Sequence, residues 1–394
     1  MKKLAIVTSH PIQYNAPWFK LLAERGNIDI MVFYTWSQSQ QGNIYDHGFG
    51  KNVTWDIPLL EGYNYTFVEN ISTNPGVHHF KGIINPGLIS QIKEYAADAV
   101  LIIGWSFKSH LKCIRYFHKK IPVFFRGDST LLNEESILKK LMRRVFLKWV
   151  YHHIDTAFYV GEKNKEYFLA HGVKNKQLVF TPHAIDNERF AQLAKEYASK
   201  AIRQKQKLNI KEDDLVFLFA GKLEPKKAPE TLIQAFANIN NSSVHLLIVG
   251  NGILEDNLKK KYSHLTNLHF IDFQNQMQMP LIYSLCDVFV LPSRGPNETW
   301  GLAVNEAMAC AKAVIVSDKC GCAVDLVKEN TGYIFNGKKV EDLENKMNLM
   351  IANKIKLKSM GNQSSQIIKE WSFNNICIPV ENCVNKLKDH NASR

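Results

Sequence analysis

Two α/β domains, each a parallel sheet covered by helices, are the fold this sequence predicts. Three observations predict it. Short β-branched or aromatic runs alternate with helical patterns almost throughout, which is how parallel sheets read. The alternation starts again after residue 214. At 394 residues the chain is long enough for two separate cores.

The first series of strands is expected at residues 4–8, 28–34, Ala99–Ile103, 123–125 and 157–160, with helical stretches such as 16–25 and 88–95 between them. Residues 191–214 form a long polar stretch rich in Lys, Gln and Asp, and the domain boundary is placed there. The second series follows at Leu215–Ala220, Val244–Val249, Leu268–Ile271, Val288–Leu291 and 313–316. The expected domains are therefore residues 1–195 and 210–368. No repeat or low-complexity tract stands out.

Composition narrows the class. With 45% hydrophobic and 22% charged residues the chain reads as an ordinary globular protein. Its purely apolar runs are strand-length, far short of a membrane span. The opening Met-Lys-Lys-Leu-Ala-Ile-Val-Thr-Ser-His has too few apolar residues before His10 for a signal peptide, and reads as a first buried strand. The seven cysteines are scattered, and no second pair or His cluster joins Cys320-Gly-Cys322 to complete a zinc site. A cytoplasmic setting and no metal are expected. The net charge of +12 asks for an anionic partner: nucleic acid, a membrane surface or a phosphorylated substrate. The basic residues are spread out, with no aromatic-interleaved patch or reading helix, so no nucleic-acid partner is expected.

The most informative motif is Glu298-Thr299-Trp300-Gly301-Leu302-Ala-Val-Asn-Glu306. A strand pattern enters it and an alanine-rich helix pattern leaves it. One carboxylate falls in the loop and the other about a turn into the helix, so both can face one polar ligand. Free N–H groups at the helix start can meet an anion. Acidic groups for hydroxyls beside amides for phosphate suit a nucleotide-activated sugar. The second series opens with Gly221-Lys222-Leu-Glu-Pro-Lys226-Lys227, a loop whose ammonium groups can meet a diphosphate; a solvated basic loop is the plainer alternative. Gly250-Asn251-Gly252 is first a turn signal, with a nucleotide contact as the second reading.

These runs, with Tyr283-Ser-Leu-Cys-Asp287-Val-Phe-Val-Leu-Pro292-Ser293, resemble the donor half of retaining GT-B glycosyltransferases of family 4. Ser9-His10-Pro11-Ile12-Gln13-Tyr14 resembles the first loop of many members, and Thr181-Pro182-His183-Ala184-Ile185-Asp186 the stretch closing the first domain. Trp371-Ser-Phe resembles the start of a final helix that crosses back, so residues 370–394 are expected to pack on the first domain. The resemblance implies the GT-B fold and metal-independent transfer of a sugar from a UDP- or GDP-linked donor to a glycan or lipid-linked glycan. It assigns Glu298 to the transferred sugar and the main chain of Thr299, Trp300, Gly301 and Leu302 to sugar and diphosphate. Glu306 is assigned to the ribose, Lys222 and Lys227 to the diphosphate, and Phe273 and Gln274 to the neighbourhood of the base. The alternatives are a nucleotide-sugar 2-epimerase of the same fold and a non-catalytic membrane-surface scaffold.

Many members carry a His after the strand that here reads Val123-Phe-Phe-Arg126-Gly127-Asp128. In its place Asp128 is expected to orient the acceptor hydroxyl or the sugar, and Arg126 to bind phosphate; a turn capped by Asp128 is the structural alternative. His10 is a weaker candidate for the acceptor side. Residues 137–154 carry five Lys or Arg and no acid. At ~100° per residue, Ile137, Leu138, Leu141, Met142, Val145, Phe146 and Trp149 share one broad face, expected to pack on the first sheet, with Lys140, Arg143, Arg144 and Lys148 opposite. That basic cluster is the candidate contact to an anionic membrane surface.

Overall fold

The computed structural model describes residues 1–41, 44–46, 49–132, 136–295 and 298–387. Among them, the first domain holds β1 (Lys3–Thr8), β2 (Asp29–Tyr34), β3 (Ile44–Asp46), β4 (Lys51–Val53), β5 (Tyr65–Phe67), β6 (Ala99–Ile103), β7 (Val123–Arg126), β8 (Thr156–Tyr159) and β9 (Leu178–Phe180). The second holds β10 (Leu215–Ala220), β11 (Val244–Val249), β12 (Leu268–Ile271), β13 (Val288–Leu291), β14 (Ala313–Ser317) and β15 (Gly332–Phe335). The sheet orders are β5-β2-β1-β6-β7-β8-β9 and β12-β11-β10-β13-β14-β15, with parallel neighbours throughout; β3 and β4 form a separate antiparallel pair. This is the GT-B architecture of two doubly wound domains.

The central strands are buried on both faces, which explains their unbroken apolar runs. β5, β9 and β15 lie at sheet edges and are half-exposed, so they lack that signature and have no counterpart among the expected strands. The polar stretch around residue 200 is two amphipathic helices, Asn187–Glu196 and Ala198–Lys207. Asp186 caps the first by accepting from the Arg189 N–H at 3.0 Å. Phe190, Ala201 and Ile210 join the core of the second domain with Val216 and Leu218, leaving the polar residues outside.

The last described helix, Asn374–Asn385, returns to the first domain. Ile376, Val380 and Val384 are buried with Leu4, Ile6 and Trp18. Glu381 accepts from Arg25 at 2.7 and 3.0 Å and from Asn27 at 3.0 Å. Three buried aliphatic side chains at about 1.5–3 kcal/mol each outweigh one partly exposed ion pair at about 1 kcal/mol, so apolar burial anchors this helix. Residues 388–394, also expected to pack back, lie outside the described residues.

Helix Ile137–Tyr151 departs from expectation. Its inward residues are Leu147, Val150 and Tyr151. The face expected to pack on the sheet is open to solvent: Ile137 is 87% exposed, Leu138 and Val145 65%, Leu141 58% and Met142 57%. Arg143, expected on the outer basic face, is half-buried on the inner stripe one turn before Leu147. The broad apolar face could not by itself say which of its sides met the domain. Among the described residues no helix is long and apolar enough to cross a membrane.

Candidate active site

In each sheet the strand order reverses around one strand, and the crevice at the carboxyl ends there is where such sheets place ligands. In the second domain that point lies between β10 and β13. The loop after β10 carries Gly221, Lys222 and a short turn at Pro225–Lys227; the loop after β13 carries Glu298 and runs into helix Leu302–Ala309. A cavity of about 470 Å³ lies between the domains, lined by Tyr14, Asp128 and His183 from the first and by Lys227, Glu298 and Glu306 from the second.

Lys227 Nζ donates to Glu298 Oε2 at 2.5 Å, and Ser293 Oγ donates to the same oxygen at 2.7 Å. Glu298 is buried. One carboxylate oxygen is thus committed to a cation and a hydroxyl, and Oε1 makes no hydrogen bond among the described residues. Gly301 begins the helix with a φ of +105°, and a Cβ there would stand 2.6 Å from Leu291 Cδ2, so glycine is required on both conformational and spatial grounds. Beneath this loop, the Cys322 N–H donates to Trp300 O at 3.1 Å. Cys320 and Cys322 are buried here, where desolvation pushes both thiols well above their ordinary range. The close cysteine pair of the sequence is packing under the site loop. Among the described residues no cluster of three His, Cys, Asp or Glu side chains is placed to hold a metal.

Glu306, one turn into the helix, is 3% exposed. Tyr283 Oη donates to Oε2 at 2.8 Å, while Tyr14 Oη and Gln276 Nε2 donate to Oε1 at 3.2 and 3.5 Å. Burial raises the Glu306 carboxyl above its usual value, against these three hydrogen bonds. Tyr14 stands on the first domain, so this contact crosses the cleft. Lys222 and Phe273 line the cavity. Phe273 meets Phe49 of the first domain edge-on at 4.6 Å, and Lys222 Nζ sits 5.0 Å from the Phe49 ring. Asn251 is held by Glu255 and Asp272, and its Oδ1 accepts from the Phe273 N–H at 2.9 Å, so it supports Phe273 from outside the cavity wall.

On the first-domain side, Asp128 Oδ2 accepts from Thr299 Oγ1 at 2.7 Å and faces His183 Nε2 at 3.6 Å. Desolvation opposes its charge, but His183 and Thr299 outweigh that and hold the carboxyl down to about 2. Across the cleft Asp128 bridges the domains, rather than acting only as a turn cap. His183, missed as a site residue, is half-buried, and desolvation lowers its imidazole. Its signal was its place in the run closing the first domain. Tyr14, Tyr283 and Ser293 likewise stand in runs that resemble the family, but nothing in sequence spacing reveals that two tyrosines converge on Glu306. Arg126 does not line the cleft. It is buried, with its guanidinium committed to Thr181 Oγ1, Thr181 O at 2.7 Å and Pro182 O at 2.9 Å, which fixes the segment leading to His183. His10 also lies outside the cavity wall, beside Ser9 Oγ at 2.9 Å and against the Trp36 ring, with burial lowering its imidazole to about 4.

Residues 200–367 match the family model described as glycosyl transferases group 1. The second domain belongs to that family. Its sequence relatives include the lipopolysaccharide 1,2-N-acetylglucosaminetransferase of Salmonella typhimurium, 28% identical over 44% of this chain and 48% of the relative. Another is the N,N'-diacetylbacillosaminyl-diphospho-undecaprenol alpha-1,3-N-acetylgalactosaminyltransferase of Campylobacter jejuni, 26% identical over 59% of this chain and 62% of the relative. Each match spans less than two thirds of the relative's length. The crystal structure of Anabaena HepE in complex with UDP superimposes over 98% of this chain and 100% of that one, with a TM-score of 0.70 at 16% identity, which shows the shared fold.

The glycosyltransferase domain thus presents two cations, a helix start and two buried carboxylates to one cavity, a set suited to a diphosphate flanked by hydroxyl-bearing rings. A larger cavity of about 880 Å³ lies elsewhere on this domain, against helices Asn187–Glu196, Ala198–Lys207 and Leu357–Ile367; neither Glu298 nor Glu306 lines it.

Proposed function

We propose that the protein transfers a sugar from a nucleoside-diphosphate sugar to a hydroxyl of a glycan or lipid-linked glycan acceptor. The transfer retains anomeric configuration, needs no divalent metal and serves cell-surface polysaccharide or glycolipid assembly. The observation that carries this is the Lys227–Glu298 ion pair set beside the amino end of helix Leu302–Ala309, with Asp128 reaching the same loop from the opposite domain.

In this reading the bond from the anomeric carbon to the diphosphate breaks with its electron pair on the leaving oxygen. The acceptor oxygen forms the new bond on the same face, and its proton passes to the departing phosphate. Lys222, Lys227 and the helix amides meet the developing negative charge without having to move. Glu298, steadied through Oε2, offers Oε1 to a sugar hydroxyl. Glu306 takes the ribose hydroxyls, which replace Tyr14 or Gln276. Asp128, held at about 2, stays ionised across the working pH range. It therefore orients the acceptor and stabilises positive charge at the anomeric carbon rather than storing a proton. The protein works at the inner face of the cytoplasmic membrane, where the exposed apolar side chains of helix Ile137–Tyr151 enter the headgroup region and Lys139, Lys140, Arg144 and Lys148 meet anionic lipid.

A panel of common nucleotide sugars, scored by release of nucleoside diphosphate, tests the reading. One UDP- or GDP-linked donor is expected to turn over, and Lys227→Ala to slow it. No turnover and no calorimetric binding with any donor would overturn it; a C2-epimerised sugar formed without acceptor would favour the epimerase.

A further inference from the structure

The larger cavity of the second domain, about 880 Å³, lies outside the donor cleft and within the ~300–1,000 Å³ range of ligand pockets. Its floor is apolar, built by Ala191, Ala194, Ala201, Ile210, Cys310 and Ile368. Four lysines, Lys195, Lys205, Lys312 and Lys369, stand against two exposed acids, Glu188 and Glu212. Lys369 Nζ donates to Gln366 Oε1 at 2.8 Å. Lys205 and Lys312 are half-buried, and among the described residues neither ammonium makes a hydrogen bond or an ion pair. Desolvation raises the buried Cys286 thiol, and Lys312 and Lys205 both work against that rise, so the two charges bear on one region of the wall. Asp287, next along the chain, already accepts from the Val216 N–H at 2.8 Å through Oδ2. Two half-buried cations over an apolar floor call for an anion with a hydrocarbon body.

This cavity stands back to back with the donor cleft. Glu306 lines the cleft; Cys310, whose N–H donates to Glu306 O at 3.1 Å, lines the second cavity at the other end of helix Leu302–Ala309. Tyr283, which holds Glu306, lines the cleft, and Ser284 lines the cavity. The chain passes between the domains before helix Asn187–Glu196 and again before helix Asn374–Asn385. Asn187 ties these crossings together, donating through Nδ2 to Ile368 O and Trp371 O at 3.0 Å each. Asn187, Ile368 and Lys369 all belong to the cavity wall. A ligand there touches the segments that bend when the domains change their angle.

We propose that this cavity is an effector site for an organic anion, a carboxylate or phosphate ester on a hydrocarbon body. The anion meets Lys205 and Lys312, and the body covers the alanine floor. Occupancy acts on the donor cleft through helix Leu302–Ala309 and the crossings at Asn187. Such coupling is reciprocal, so a bound nucleotide shifts the effector's affinity by the same factor.

Calorimetry on the full-length protein tests this with decanoate and decyl phosphate. Decanol carries the chain without the charge, and acetate the charge without the chain. At least one of the two long-chain anions is expected to bind at least tenfold tighter than decanol or acetate, and the tighter of the two names the head group. Lys205→Gln combined with Lys312→Gln is expected to weaken that binding at least tenfold. Val145→Glu, on the exposed face of helix Ile137–Tyr151, is expected to leave it unchanged. With the anion saturating, affinity for UDP or GDP is expected to shift at least threefold in the wild type and not in the double variant. The proposal is overturned if decanol binds as well as the anions, if the double variant keeps full affinity, or if Val145→Glu abolishes binding. Nucleotide affinity that is the same with and without the anion also overturns it. The site does not depend on the transfer chemistry. Anion binding without turnover of any donor sinks only the transferase reading; turnover without anion binding sinks only this inference.

Discussion

The two switch points of this molecule are built alike and equipped differently. The one between β10 and β13 carries its charges in loops and holds them in pairs: Lys227 with Glu298, and Glu306 under two tyrosines. In the first domain, where the switch point lies between β1 and β6, the low-pKa carboxylate Asp128 follows the next strand, β7, and an arginine reaches in from a neighbouring helix. On the transferase reading, the donor is met by residues grouped in two short loops, after β10 and after β13. The acceptor side is assembled from four separate segments. The difference teaches that one half of the cleft is a motif and the other is a product of folding.

The largest effect expected from breaking this comparison is at Glu298. Glu298→Ala removes the carboxylate held by Lys227 and Ser293, and transfer is expected to fall about 10²–10³-fold, the scale for losing one preorganised polar contact to a transition state. Affinity for the free nucleoside diphosphate should hold or rise, because Lys227 loses its competing partner. Steady-state transfer and calorimetry on the same sample check both parts; unchanged transfer would remove Glu298 from the chemistry.

Asp128→Asn sharpens the contrast between sides. The amide oxygen can still accept from Thr299, so the bridge survives while the charge is lost. A kcat loss of about 10–100-fold with donor KM within about twofold is expected. A matched loss in donor affinity would assign Asp128 to the donor half.

How far the sequence reached follows the same division. The buried strands were legible because double-sided burial demands unbroken apolar runs, and Ala99–Ile103, Leu215–Ala220, Val244–Val249 and Val288–Leu291 stand where that pattern sets them, while Leu268–Ile271 stands where expected although it is a half-buried edge strand. The donor loops were legible because glycine, lysine and glutamate are confined there to short spacings. The acceptor half was not. Arg126 and Asp128 are two residues apart, yet Arg126 ends β7 as a buried tether held by the Thr181 and Pro182 carbonyls, while Asp128 lies in the loop beyond the strand and faces the cleft. Helix Ile137–Tyr151 was read with its open side inward, because seven large apolar residues normally mean a core face. Here they are the outside of the molecule.

Glycines test the comparison at the level of backbone. Gly301 and Gly104 follow strands at the two switch points with positive φ, +105° and +75°. A Cβ at Gly301 meets Leu291, whereas one at Gly104 meets nothing within 4 Å. Gly104→Ala should therefore cost only the conformational penalty of about 1 kcal/mol, and Gly301→Ala about 2 kcal/mol or more with loss of donor binding. Urea unfolding compares them. Equal costs would mean that the loop after β13 relaxes freely.

The smallest effect lies where the domains touch away from the cleft. Asp325, on the short helix Ala323–Leu326, accepts from the Glu162 N–H at 3.2 and 3.3 Å, at the start of helix Glu162–Ala170 in the first domain. Burial raises this carboxyl from 3.8 to about 6; the Glu162 N–H, Lys328 and Lys163 pull the other way, and the Glu162 carboxylate adds to the rise. The folded protein then holds the proton more tightly than the unfolded chain. Its contribution to stability is complete below pH 3.8 and is lost as pH rises through about 6. A shift of this size in a fully buried group is worth about 3 kcal/mol, but this half-buried carboxyl is screened by water, so about 1 kcal/mol is expected. Asp325→Asn keeps an acceptor for the Glu162 N–H and removes the titration. Wild type should gain about 1 kcal/mol on the variant between pH 7 and pH 4.5 in urea unfolding, through folded-state proton uptake alone. Parallel stability curves for the two proteins across that window would mean that the Asp325 carboxyl is open to water and that the domains part there without cost.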